Sequence, residues 1–222
     1  MTQCFTWQTG QQRAAVRCWS ASGQEIRCCG HGLLSCAALW IAGWGGTGLL
    51  NTGSAQVACQ TREGYTWLGF ATAQPVECET AGWMRDLLGT RPTACAEVGG
   101  ADDYLVVQLP RDSQLRDISR PDTVLGSYTR RALVVTCSVS EPARQCAEHI
   151  HFRYFAPQYG VPEDTATGSA MRVLASYWQR CGLGPQLVAL QCSPQGGLLH
   201  SHIRDGLTWV GGRVMAEETA NA

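Results

Sequence analysis

Basic runs are missing from this sequence of 222 residues. Seventeen Lys and Arg stand against eighteen Asp and Glu, and only 16% of residues are charged. Nothing in the chain would track a phosphate backbone, so nucleic acid is excluded as a partner. Apolar runs are short as well. None approaches the roughly 20 residues of a membrane span, and Leu33 to Ile41 suffices only for the core of a helix. The opening, Met1-Thr2-Gln3-Cys4-Phe5-Thr6-Trp7, has no basic region followed by an apolar run, so no secretion signal is read there. Cys-x-x-Cys pairs are missing too, and the adjacent Cys28 and Cys29 suit one metal poorly.

What is plentiful is cysteine, twelve residues in all. A disulfide framework fits a small secreted chain better than one of this length without a signal. Most of the thiols sit among apolar residues, as Cys36, Cys59, Cys137 and Cys181 do, where they pack as small hydrophobes. The expectation is a reduced, cytoplasmic protein without a metal. The length allows one large domain or two small ones with ample core.

One device occurs twice. Arg17-Cys18-Trp19-Ser20-Ala21 leads to Cys29-Gly30-His31-Gly32 and an apolar helix ending near Trp40. Arg153-Tyr154-Phe155-Ala156-Pro157 leads to Thr167-Gly168-Ser169-Ala170 and a helix ending near Trp178. From Gly30 and Gly168 onward the two align without a gap. A repeated strand–loop–helix unit predicts two similar halves, residues 1–88 and 89–222, with both helix starts facing one ligand in a cleft.

The pattern along the chain is mostly β. Residues 3–8 and 13–20 alternate as a hairpin about Thr9-Gly10-Gln11-Gln12, and Gly30 to Trp44 is a helix ended by the Gly43 to Gly48 cluster. Strands are predicted at Ala55–Thr61, Tyr65–Thr72, Pro75–Cys78, Tyr104–Leu109, Ala132–Ser138 and His149–Phe155. Gln186–Gln191, Leu198–Ile203 and Leu207–Met215 follow as closing strands. Gly82–Leu88 is a short helix or turn, Leu115–Ile118 a turn, and Ser169–Gln179 the second long helix. The tail from Ala216 to Ala222 is read as frayed. Each half is an α+β unit in which a curled sheet covers a central apolar helix on every side.

The helix starts carry the chemistry. Free N–H groups and the helix dipole favour a carboxylate there, and Gly30 and Gly168 let backbone approach it. His31 and Ser169 add a donor at corresponding positions. Asp164, His31 and Cys29 are the candidate proton carriers, the thiol because a helix start lowers its pKa. Glu163 is expected to face solvent or form a pair. Read singly, Asp164 is an Asx-turn acid, His31 a structural histidine, Cys29 packing and Thr167 an N-cap. Their placement on equivalent turns favours the chemical reading.

These residues, with Glu163-Asp164-Thr165-Ala166-Thr167-Gly168-Ser169-Ala170 and the later Pro194-Gln195-Gly196 and Trp209-Val210-Gly211-Gly212, resemble the phenazine-biosynthesis PhzF-like family. That family belongs to the diaminopimelate epimerase superfamily, and the resemblance runs from about residue 2 to 215. It implies two pseudo-symmetric domains, each a barrel-like, mostly antiparallel sheet around a helix. It also implies a cofactor-independent isomerase, usually a homodimer, acting on a small carboxylate-bearing substrate. Carried over by position, Gly30, Gly32, Thr167, Gly168 and Ser169 bind substrate, and Asp164 and His31 assist proton transfer.

Two departures bear on activity. The family's principal acid/base is a glutamate, and Thr2 falls at its place, which points either to a start upstream of Met1 or to a shortened homologue of reduced activity. Racemases of the superfamily use two cysteines, whereas here Cys29 is matched by Thr167. Two-base racemisation is therefore disfavoured, and a one-sided proton shift with Cys29 or Asp164 as base is expected. The alternative is a non-catalytic homologue that binds a small acid. A cysteine-based redox or metal protein is the third class.

Overall fold

A computed structural model describes residues 3–19, 23, 25–26, 29–140 and 148–215. The chain divides into two compact units, Met1–Phe70 with Trp209–Ala222, and Ala71–Thr208. Among the described residues no helix is long and apolar enough to cross a membrane.

Unit 1 begins with the hairpin β1 (Gln3–Gly10) and β2 (Arg13–Trp19), turning at Gln11-Gln12, followed by the two-residue β3 (Glu25–Ile26). Helix α1 (Gly30–Ile41) then leads to β4 (Thr47–Asn51), β5 (Gln56–Arg62) and β6 (Tyr65–Ala71). The strands lie in the order β1-β2-β4-β5-β6. β1/β2 and β4/β5 are antiparallel, while β2/β4 is parallel because α1 carries the chain back across the sheet. Leu33, Cys36, Ala37 and Ile41 of α1 pack on Val16, Leu50, Val57, Cys59 and Leu68.

Unit 2 opens with β7 (Pro75–Cys78), α2 (Gly82–Leu88), β8 (Ala94–Val98) and β9 (Tyr104–Gln108). The short α3 (Leu125–Tyr128) precedes β10 (Ala132–Ser138) and β11 (Ile150–Phe155). Helix α4 (Gly168–Arg180), β12 (Gln186–Gln191) and β13 (Gly197–Arg204) follow. The last strand, β14 (Leu207–Gly212), lies beside β6, and its residues from Trp209 onward belong to unit 1. Met84 and Leu88 of α2 share a core with Leu105, Val107, Leu133, Val135 and Phe155. β10 is thus buried on both faces, which is why it reads as an unbroken apolar run. The sequence reading divides the chain after residue 88, but β7 pairs with β8 and α2 packs in this second core.

The duplication is structural. β10/β11 are antiparallel, β11/β12 parallel and β12/β13 antiparallel, with α4 between the second and third strands. That is the sense and order of β1, β2, α1, β4 and β5. Equivalent tryptophans do the same work. Trp40 Nε1 donates to Thr6 Oγ1 at 2.7 Å, and Trp178 Nε1 donates to Thr136 Oγ1 at 3.1 Å. Each threonine in turn donates to a carbonyl of its antiparallel neighbour, Ala15 or His151, at 2.9 Å.

Two expectations change, and a third is untested. Covering on every side holds for α4, where eight residues from Ala170 to Trp178 are buried. On α1 it fails: His31, Ser35 and Leu39 share one face and are exposed. β4 and β8 are strands the periodicity did not show. β4 starts inside the glycine cluster read as a helix stop, and Gly48 is needed because a Cβ there would lie 2.4 Å from the Trp44 ring. The tail from Ala216 lies outside the described residues.

Candidate functional site

In unit 2 the chain leaves β11, passes a one-turn 3₁₀ helix at Pro157–Tyr159, and turns back through residues 162–167 into α4. Arg153 and Glu163 anchor this turn. Their side chains are 6% and 4% exposed and pair in fork geometry, Nε to Oε1 at 2.7 Å and Nη2 to Oε2 at 2.8 Å. Arg153 Nη1 also donates to the Leu115 carbonyl at 3.0 Å and to that of Ile118. Of the two expectations for Glu163, solvent or a pair, the pair is what forms.

Asp164 follows at once. Its Oδ1 accepts from the Thr165 N–H at 2.9 Å and its Oδ2 from the Thr167 hydroxyl at 2.7 Å. Thr167 occupies the N-cap position of α4, yet its hydroxyl does not cap the helix. It is spent on Asp164, so the N-cap side chain does not close the first turn of α4 at Gly168 and Ser169. The fully buried Gln191, at the end of β12, ties the turn down. It accepts from the Thr167 N–H at 2.6 Å, and its amide donates to the Asp164 carbonyl at 2.5 Å and to Thr167 Oγ1 at 3.2 Å. Ser193 donates to the Thr165 carbonyl at 2.7 Å, so the loop carrying Pro194-Gln195-Gly196 buttresses the turn rather than forming a strand. Neither Gln191 nor Ser193 was legible in the sequence, because an amide at a strand end signals nothing until its partners are known.

In unit 1 Cys29 is the N-cap of α1. Its φ and ψ, −106° and 99°, nearly repeat the −107° and 94° of Thr167. The Gly32 N–H donates to Cys29 Sγ at 3.4 Å, so here the cap side chain does close the helix. Gly30 follows it, and His31 points from the exposed face of the first turn. Gly32 is buried, and a Cβ on it would lie 2.2 Å from Cys4 Sγ and 2.9 Å from Cys18 Sγ. Cys4 and Cys18 are cross-strand partners with sulfurs 2.8 Å apart. Their sulfurs and that of Cys29 all lie within 4.8 Å of one another. Strand pairing and the packing of α1 on those strands make this cluster, and spacing along the chain carries no sign of it.

Two thiol expectations need correcting. A helix start was expected to lower the Cys29 pKa. Burial instead pushes it up, and the Gly32 N–H offsets that only in part. Cys36, Cys59 and Cys137 are buried as expected, but Cys181 is exposed just beyond the end of α4. Thr2, at the family glutamate position, lies outside the described residues. The structure thus groups Asp164, Thr167, Gly168 and Ser169 on one turn of unit 2, and Cys29, Gly30, His31 and Gly32 on one turn of unit 1.

Comparison with known proteins places this geometry. Residues 2–198 match the PhzC–PhzF family, described as phenazine biosynthesis-like protein. An uncharacterized isomerase of Pseudomonas aeruginosa is 30% identical over 187 residues, 82% of this chain and 67% of that protein. A phenazine biosynthesis-like domain-containing protein of Mus musculus is 42% identical over 91 residues, 40% of this chain and 31% of that protein. The chain thus spans about a third of that mammalian relative. A PhzF-family crystal structure from Enterococcus faecalis superposes with a TM-score of 0.79 at 25% identity, covering 96% of this chain and 78% of that one. A protein described as a predicted epimerase of P. aeruginosa shares the fold at TM-score 0.70 and 20% identity, over 97% and 82% of the two chains. The family match over residues 2–198 and this fold agree: the chain belongs to the PhzC–PhzF family of phenazine biosynthesis-like proteins.

Proposed function

We propose that this chain is a cofactor-independent isomerase that shifts a proton on a small carboxylate-bearing substrate. The observation that carries the reading is the pair of helix starts with matching backbone geometry, each beside a side chain able to move a proton. At α4, Asp164 is held by two donors while the helix N–H groups next to it are left without a side-chain cap. Asp164 removes the proton, and the free N–H groups stabilise the enolate-like anion. Cys29 and His31 assist, and Gly30, Gly32, Thr167, Gly168 and Ser169 bind the substrate. The relatives described as isomerases and as an epimerase support the same reaction class. With threonine at the glutamate position, activity is lower than in relatives that keep it. The protein acts in the cytoplasm as a homodimer.

Proton exchange tests this reading directly. A panel of small amino and hydroxy acids is incubated in deuterated water with the full chain, and loss of the α- or γ-proton signal is followed by NMR. Exchange on one acid is expected, and Asp164→Asn abolishes it. Exchange that survives both Asp164→Asn and Cys29→Ala defeats the assignment. One observation favours the second reading, a non-catalytic binder of small acids: burial pushes the Cys29 pKa up, which leaves less thiolate to accept a proton. Saturable binding of an acid without exchange would establish it.

A further inference from the structure

We propose that Cys4, Cys18 and Cys29 form a binding site for one thiophilic d¹⁰ cation, Zn²⁺ in the first instance. The site is built from three elements of unit 1: β1, its antiparallel partner β2, and the N-cap of α1. All three sulfurs lie within 4.8 Å of one another. Tetrahedral zinc with bonds of about 2.3 Å to sulfur spaces its ligands about 3.8 Å apart. The Cys4–Cys18 edge, now 2.8 Å, must open by about an ångström, within the reach of side-chain rotation, while the edges to Cys29 lie within 4.8 Å. Three cysteine ligands leave a fourth position for water.

The surroundings suit such an ion. Three thiolates around Zn²⁺ leave one net negative charge beside the N-terminus of α1, where the helix dipole and the Gly32 N–H favour it. Cys18 and Cys29 pack in or against the apolar core, which shields the bonds from water.

The duplicated fold supplies its own control. Thr6 faces Val16 as Thr136 faces Phe152, so the Cys4/Cys18 pair corresponds to Val134 and Tyr154. Gly32, which alone lets the sulfurs close onto the helix, corresponds to Ala170. The second copy builds the same corner with no thiol and no glycine. The fold does not require them, and their joint presence in unit 1 is specific to that corner. Cys78 and Cys95 are also cross-strand partners, 2.7 Å apart, but among the described residues no third ligand joins them. That pair has the makings of a disulfide and not of a metal site.

The test is a titration of the fully reduced chain with Co²⁺ under anaerobic conditions, followed by displacement with Zn²⁺. One equivalent of Co²⁺ is expected to give thiolate-to-cobalt charge transfer and the intense visible bands of tetrahedral cobalt, both lost on adding Zn²⁺. Cys4→Ser and Cys18→Ser each weaken binding by more than the roughly 10–100-fold typical of losing an outer-shell partner. Gly32→Ala weakens it too, and Cys95→Ser leaves it unchanged. Cys4 lies on an edge strand and is only half-buried, so Cys4→Ser is informative even if Cys18→Ser fails to fold. The proposal falls if the reduced chain gives no thiolate bands, or if the bands persist in Cys4→Ser. It falls equally if the only chemistry found is a Cys4–Cys18 disulfide in protein that takes no metal when reduced. The readout is optical, so its failure leaves the isomerase reading standing, while its success makes Cys29 a ligand and leaves proton transfer to Asp164 and His31.

Discussion

Replacing Glu163 by glutamine removes one charge from a buried pair and little else. Both oxygens of Glu163 accept from Arg153, at 2.7 and 2.8 Å, and neither side chain is more than 6% exposed. Glutamine keeps the shape but offers one acceptor and no charge, leaving a guanidinium in the interior with one amide oxygen, the Leu115 and Ile118 carbonyls and the Phe155 ring, and no counter-charge. Breaking a buried pair from one side costs about 3–5 kcal/mol. For a chain of this length that lowers Tm by roughly 6–20 °C. Urea unfolding followed by circular dichroism should show the midpoint falling with an unchanged slope. Arg85→Ala, which breaks an exposed pair with Asp86, should change stability by less than about 1 kcal/mol. The double variant Arg153→Met/Glu163→Leu should recover much of the loss, since an apolar pair does not leave a charge stranded. A Glu163→Gln loss no larger than that of Arg85→Ala would refute the reasoning.

Alkaline pH should destabilise the protein in a defined window. Burial raises the Cys59 thiol from 9.0 to about 11, so the folded state holds its proton longer than the unfolded one. The stability this contributes is present below pH 9.0 and is lost as pH climbs toward 11, and Cys59→Ala should flatten that part of the stability–pH curve. Trp40→Phe and Trp178→Phe each lose one hydrogen bond to a threonine, and each should cost about 1–2 kcal/mol. A neutral result in one alone would argue against equivalent roles. Gln191→Leu strands the Thr167 N–H and the Asp164 carbonyl; it should cost about 2–4 kcal/mol in denaturant titrations and slow proton exchange, while Gln186→Leu on the exposed end of β12 does neither.

Much of the fold was legible because its signals are local. The bounds of β7, α2, β10 and β12 agree with the sequence reading, each element having turn residues beside it or an unbroken β-branched run. β4 and β8 escaped for the opposite reason. Thr47–Asn51 begins within a glycine cluster, and Ala94–Val98 has no polar/apolar alternation and a single β-branched residue, Val98, to mark it. Both are strands because neighbours on either side supply hydrogen bonds.

The repeat of a glycine-opened apolar helix was written in the chain, as were the family it belongs to and the turn that carries Asp164. Tertiary structure alone decided that Glu163 is neutralised by Arg153, that the Thr167 hydroxyl serves Asp164 instead of the helix, and that Cys4 and Cys18 meet at Cys29. Each of these depends on which strands pair and in what register. A shift of one residue would turn Cys4 away from α1, and no pattern within a single strand specifies its partner's register.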